Sequence, residues 1–138
     1  MTSPQTLLAL DVGEKRIGVA LADAQIKIAI AYDTIEVDGS EKEAIGQIIA
    51  HEGVQALVVG YPRNQSGEPT AQTAYVEKFV DKLQVGDVPI YFQDESLTSV
   101  RAEELLVSQK KPYKKADVDA LAASLILQDY LEGQHGRI

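Results

Sequence analysis

The chain has 138 residues, 45% of them hydrophobic and 25% charged, with a formal net charge of -8. That length suits one domain over residues 1–138 with a real core, and the apolar content is that of an ordinary globular protein. The lack of cysteine excludes disulfides and thiolate chemistry, and two histidines, His51 and His135, make a histidine-rich zinc site unexpected.

The first strand is expected at Thr6–Val12, a continuous apolar run broken by Asp11 near its end. Alternation of Ile17, Val19 and Leu21 with small residues, then of Ile26, Ile28 and Ile30 with Lys27, Ala29 and Ala31, predicts a hairpin that turns over Asp23–Gln25. Ser40 followed three residues later by Glu43 has the form of a capping box. The helix behind it carries Ile45, Ile48 and Ile49 and stops at Gly53. Val54–Gly60 predicts a buried strand, and Tyr61–Pro69 a loop. Val76, Phe79, Val80 and Leu83 mark a second helix, and Val88–Gln93 a fifth strand. Thr98 is expected to cap a third helix running to Ser108, and a fourth covers Val118–Leu131.

The order β-β-β-α-β-α-β-α-α predicts an α/β fold. Its mixed five-stranded sheet, three antiparallel strands and then two parallel ones, is flanked by helices. Right-handed crossovers place the later strands parallel, and sites in such sheets gather beyond the carboxyl ends of parallel strands. No apolar run reaches the length of a membrane span, and MTSPQT lacks the basic and apolar regions of a signal peptide. Together with the absence of cysteine, this predicts a cytoplasmic protein that does not contact membrane.

Several carboxylates fall at the ends of predicted elements. Asp11 closes the first strand on the face of Leu7 and Ala9, where an unpaired charge is costly. Asp94 and Glu95 follow the fifth strand, and Asp117 and Asp119 open the last helix, Asp119 on the face of Ala122, Ala123 and Ile126. Acids brought together repel one another unless a cation lies among them, and all-oxygen donors suit Mg²⁺ or Mn²⁺. Two such ions can position an attacking water and stabilise the leaving oxygen of a phosphodiester. Each acid also has a plainer reading. Asp117 can cap the helix, Asp119 can favour its dipole, Asp94 can cap a turn, and Glu95 can be a solvated loop acid.

Four segments, in order, resemble the YqgF/RuvX family of Holliday junction resolvase-like or pre-16S rRNA nucleases. They are Leu8–Ala20 (LALDVGEKRIGVA), Val59–Gly67 (VGYPRNQSG), Asp94–Thr98 (DESLT) and Asp119–Leu127 (DALAASLIL). The resemblance implies an RNase H-like fold and a metal-dependent nuclease. Asp11, Glu95 and Asp119 would be the catalytic residues and the ligands of Mg²⁺ or Mn²⁺. It further implies hydrolysis of structured nucleic acid, with processing of the 5′ end of pre-16S rRNA as the leading substrate and branched DNA as the alternative. Ribosomal precursor particles are expected partners, and the protein is expected to be a monomer or weak homodimer. Two positions depart from the family pattern: Ser96 stands where arginine is usual after the glutamate, and Glu14 where threonine is usual. Both lower the positive potential offered to phosphate.

The candidate substrate-binding residues surround these acids. Gly13 lets the chain turn closely beside Asp11, and Lys15 and Arg16 follow it. In the loop after the fourth strand, Arg63 suits bidentate phosphate contact and Asn64 offers both donors and acceptors. Lys110, Lys111, Lys114 and Lys115 surround Pro112 and Tyr113, a dense basic cluster able to contact phosphate without reading sequence. A solvated loop explains the same lysines. An actin-like ATPase also begins with aspartate-x-glycine after a strand, but it needs two such halves, which 138 residues do not hold. The acidic balance and Ser96 leave open a non-catalytic nucleic-acid-binding or ribosome-associated factor.

Overall fold

The structure, a computed structural model, describes residues 5–63, 66–95 and 98–135. Its elements follow the expected order: β1 (Thr6–Val12), β2 (Arg16–Asp23), β3 (Ile28–Glu36), α1 (Glu41–Glu52), β4 (Ala56–Tyr61), α2 (Ala71–Lys82), β5 (Ile90–Asp94), α3 (Thr98–Ser108) and α4 (Lys115–His135). The sheet order is β3-β2-β1-β4-β5, with β1–β2 and β2–β3 antiparallel and β1–β4 and β4–β5 parallel. The carboxyl ends of β1, β4 and β5 therefore lie side by side, with β4 between the two strands that carry Asp11 and Glu95.

Side-chain alternation divides the sheet into two unlike faces. Leu8, Leu10, Val12, Ile17, Val19, Leu57 and Val59 point to one face and pack with Ile45 of α1 and Val76 and Phe79 of α2. The opposite face is built from Leu7, Ala9, Ala20, Ala22, Ala56 and Val58, and α4 lies on it through Ala123, Ile126, Leu127 and Leu131. The small residues on this second face let a helix backbone approach closely. Asp11 and Gly60 continue the α4-facing rows of β1 and β4.

Local details differ from the periodicity. The hairpin turn spans residues 24–27, with Lys27 at φ 62°, and β3 runs on to Glu36. Ile26, Ile28 and Ile30 are 66%, 58% and 66% exposed, because β3 is an edge strand that reaches past the cover of α1. No capping box forms at Ser40: its hydroxyl donates to Asp38 at 2.6 Å, and the Glu41 carboxylate accepts from the Gly39 N–H at 2.8 Å. A capping box stands instead before α2, where Thr70 and Thr73 each accept from the other's backbone N–H. Gly53 closes α1 at φ 65°, in the left-handed region that glycine adopts without a Cβ clash. Strand β4 starts at Ala56 and includes Tyr61, and β5 starts at Ile90, after Pro89 has removed a ladder donor. Helix α4 begins earlier than its apolar stripe, because Asp117 secures its first turn by accepting from the Lys114 N–H at 2.9 Å, and it runs on to His135. Among the described residues no helix is long and apolar enough to cross a membrane.

Candidate active site at the carboxyl ends of β1, β4 and β5

Asp11 lies one residue before the end of β1 and keeps some exposed surface, while its carboxyl is enclosed on most sides by protein. Burial raises its pKa well above the usual carboxylate range. The Glu95 charge and a side-chain hydrogen bond with Glu95 act in the same direction, followed by the Asp119 charge. The Asp11 and Glu95 carboxyl groups thus lie close enough that a proton or a cation between them would relieve their repulsion.

Glu95 reaches Asp11 from two strands away because Gly60 lies between them. A Cβ on Gly60 would sit 3.0 Å from both Cγ and Cδ of Glu95 and 2.8 Å from Cδ1 of Ile126. The Glu95 side chain therefore folds over the bare backbone of β4. Its own N–H donates to the Tyr61 carbonyl at 3.2 Å, which fixes where the side chain starts.

Asp119 arrives on α4. Gly18, paired with Asp11 across β1–β2, receives it: a Cβ on Gly18 would lie 1.9 Å from the Asp119 carbonyl oxygen. Thr34 helps to seat the same end of α4 by donating its hydroxyl to the Ala116 carbonyl at 2.6 Å. The Asp119 carboxylate is taken by Arg16, whose Nε donates to Oδ2 at 2.6 Å. The expected cage of three open acids is thus present as the Asp11–Glu95 pair with Asp119 beside it and held by Arg16. Among the described residues no three acids are gathered as a ready cage. The donor set still fits a hard divalent cation, because it consists of carboxylate oxygens with two of the groups in contact.

The candidate substrate-binding residues divide. Gly13 makes the expected tight turn: its N–H donates to the Arg16 carbonyl at 3.0 Å, and a Cβ there would lie 2.6 Å from that oxygen. The Lys15 side chain is exposed close to the acids in the chain, whereas Arg16 points at Asp119 rather than outward. Arg63 turns to the far side of β4, 3.4 Å from Asp94 and 4.9 Å above the Tyr61 ring. Asn64 and Ser96 lie outside the described residues. Lys110, Lys111, Lys114 and Lys115 are exposed in the connection that leads into α4, with Lys110 at φ 56°. Arg101 is paired with Asp129 at 3.1 Å and ties α3 to α4. Sequence reasoning missed the two glycines that assemble the site, Gly18 and Gly60. The visible trace of the first is a glycine in the middle of a strand pattern, a sign of close backbone approach.

A mixed sheet ordered β3-β2-β1-β4-β5, with acids gathered where its central parallel strands end, defines an α/β protein of RNase H-like fold. Its architecture matches Thermus thermophilus RuvC bound to a Holliday junction substrate (TM-score 0.58, 16% identity, 96% of each chain covered). It also matches the fowlpox virus Holliday junction resolvase (TM-score 0.57, 11% identity, 94% of this chain and 99% of that one). At such identities the likeness is one of fold. The chain itself belongs to the RuvX family, described as "RuvX: Holliday junction resolvase", whose model matches residues 5–133. A protein of Chloroflexus aggregans is 44% identical over 94% of this chain and 95% of its own length. One of Roseiflexus sp. is 42% identical over 96% and 98%. Both bear the name "Putative pre-16S rRNA nuclease".

Proposed function

We propose that this chain is a divalent-metal-dependent endonuclease that hydrolyses phosphodiester bonds in structured nucleic acid, with the 5′ end of pre-16S rRNA as its substrate. The observation that carries this reading is the Asp11–Glu95 pair, two carboxyl groups from separate strands in hydrogen-bond contact at the mouth of the sheet. Family membership and the names of the relatives support the choice of nucleic acid and of rRNA.

In this reading Asp11, Glu95 and Asp119 are the catalytic residues and would together hold Mg²⁺ or Mn²⁺. When bound, the ion supplies Lewis-acid activation of water and neutralises charge on the leaving oxygen. Asp119 completes the acidic rim, and Arg16 keeps its carboxylate directed and screened. Gly13 lets the backbone turn beside the acids, and Lys15 and the lysines at 110, 111, 114 and 115 draw in the phosphate backbone. Arg63, on the far side of β4, and Asn64 are further candidate phosphate contacts in this reading. The protein acts as one catalytic unit over the chain, in the cytoplasm, on ribosomal precursor particles, as a monomer or weak homodimer.

The test uses wild type, Asp11→Asn and Glu95→Gln with a 5′-extended 16S rRNA fragment and with a four-way DNA junction, each in Mg²⁺, Mn²⁺ or EDTA. Wild type should cut the rRNA fragment only with metal, and each variant should lose about a hundredfold or more, as when one preorganised charge-stabilising group is removed. Equal cutting by wild type and variants, or no cutting by wild type under any metal, overturns the proposal. Preferential cutting of the junction transfers the activity to branched DNA.

A further inference from the structure

On the sheet face opposite the acids, where β4 and β5 end, a cavity of about 510 Å³ is lined by Tyr61, Arg63, Glu77, Phe92, Gln93 and Asp94. Tyr61 and Phe92 meet edge to face, their ring centroids 5.0 Å apart at 65°. Three contacts fix Tyr61: the Phe92 ring, the Arg63 guanidinium 4.9 Å from its centroid, and a hydrogen bond from its hydroxyl to Glu77 at 3.0 Å. Phe92 is nonetheless 45% exposed on an edge strand. The pair forms a rigid aromatic platform, held by polar contacts and left open to solvent.

The platform adjoins the acidic site. Tyr61 follows Gly60 and Asp94 precedes Glu95, so the cavity and the acids lie on consecutive residues of the same two strands, joined by the Glu95 N–H to Tyr61 carbonyl bond. Glu77 and Asp94 make the cavity unsuited to a phosphate, since its single cation, Arg63, is already 3.4 Å from Asp94. Carboxylates do suit the amino and imino edge of a base, and an exposed ring suits its face.

We infer that Tyr61, Phe92 and Asp94 form a subsite for one unpaired nucleobase, stacked on Phe92 and bonded at its edge by Asp94, around the strand ends from the phosphate presented to Asp11 and Glu95. This inference rests on the nuclease reading for the position of that phosphate, but the subsite itself stands on its own geometry. It gives the protein a preference for substrates with a single-stranded nucleotide beside the cut, over blunt duplex.

The test is run in EDTA, so that binding is read without cutting. The probes are a fluorescein-labelled single-stranded 12-mer RNA, the same strand carrying 2-aminopurine, and a blunt RNA duplex. Wild type should bind the single strand and change the 2-aminopurine emission. Phe92→Leu should bind it about tenfold more weakly, as expected for loss of one stacked base, and should abolish the emission change. Phe92→Trp should restore both, and its restoration separates a lost ring from a damaged fold. Equal binding and emission for wild type and Phe92→Leu, or no binding of the single strand by wild type, overturns the subsite. The metal-dependent cutting assay separates the two claims. A wild type that stacks the base but never cuts removes the nuclease reading and keeps the subsite. One that cuts, with Phe92→Leu indistinguishable in EDTA, does the reverse.

Discussion

Gly18 and Asp119 touch backbone to backbone, so closely that a methyl group on Gly18 would lie 1.9 Å from the Asp119 carbonyl oxygen and 2.4 Å from its carbon. The contact is between a strand and a helix a hundred residues apart, and neither main chain can yield without moving its element. It fixes the depth at which α4 settles on the sheet and hence the place of the Asp119 carboxylate.

Gly18→Ala should therefore destabilise the protein by about 3 kcal/mol or more, at the upper end of overpacking effects, because the obstacle is backbone. Gly60→Ala meets the ends of two side chains, Glu95 and Ile126, and should cost less stability, about 1 kcal/mol, while displacing Glu95. Urea denaturation together with the cutting assay checks both: Gly60→Ala should keep most stability and lose activity. A Gly18→Ala variant as stable as wild type would contradict the close contact.

The Arg16–Asp119 pair is partly exposed, with side-chain exposures of 28% and 24%, so its direct worth to folding is small. Arg16→Gln should leave stability nearly unchanged. It should also strengthen Mn²⁺ binding severalfold in calorimetry without nucleic acid, since a cation beside the acids is removed, and weaken binding of nucleic acid. Unchanged Mn²⁺ affinity would place Asp119 outside the metal's reach.

The pH dependence of stability follows from Asp11. Its folded-state pKa lies above that of the unfolded chain, so its favourable contribution is complete below the ordinary carboxylate range. That contribution is lost as pH rises through the raised folded value. In EDTA, Asp11→Asn should melt a few degrees above wild type at neutral pH, and the difference should shrink as the pH falls. Thermal melts from pH 4 to 8 in EDTA are the measurement, and saturating Mg²⁺ should narrow the gap at neutral pH by stabilising wild type.

The outer edge of β3 carries a safeguard. The Gln128 carboxamide accepts from the Ala29 N–H at 2.9 Å and donates to the Lys27 carbonyl at 3.1 Å, occupying the two edge groups as a neighbouring strand would. With Ile28 and Ile30 exposed beside it, this edge is otherwise a template for pairing. Gln128→Ala should raise self-association with concentration in sedimentation velocity, with little loss of helix content. Sedimentation identical to wild type would show that the edge is protected by other means.

Much of the fold was legible in the chain itself, because buried parallel strands are nearly pure apolar runs and the helices carry 3.6-residue periodicity. Thr6–Val12 has the bounds its residues suggest, and α3 ends at Ser108 as expected while taking in Thr98, the residue expected to cap it. The capping box at Ser40 failed because Ser40 stands at φ -112° and ψ 11°, outside the extended cap conformation, with its hydroxyl turned to donate to Asp38, which spacing alone does not reveal. The alternation of Ile28 and Ile30 predicts a strand but not their exposure, because alternation records a pleat and not what covers it.

The sequence by itself determined the element order, the α/β class and which acids sit at the ends of elements, since these depend on local propensity and period. Only the tertiary structure decided that Asp11 meets Glu95 across the bare backbone of Gly60, that Arg16 turns to Asp119, and that Arg63 faces the opposite side of the sheet with Tyr61 and Phe92. These are contacts between residues distant in the chain. They are set by strand order and by how closely two backbones approach, which no local pattern encodes.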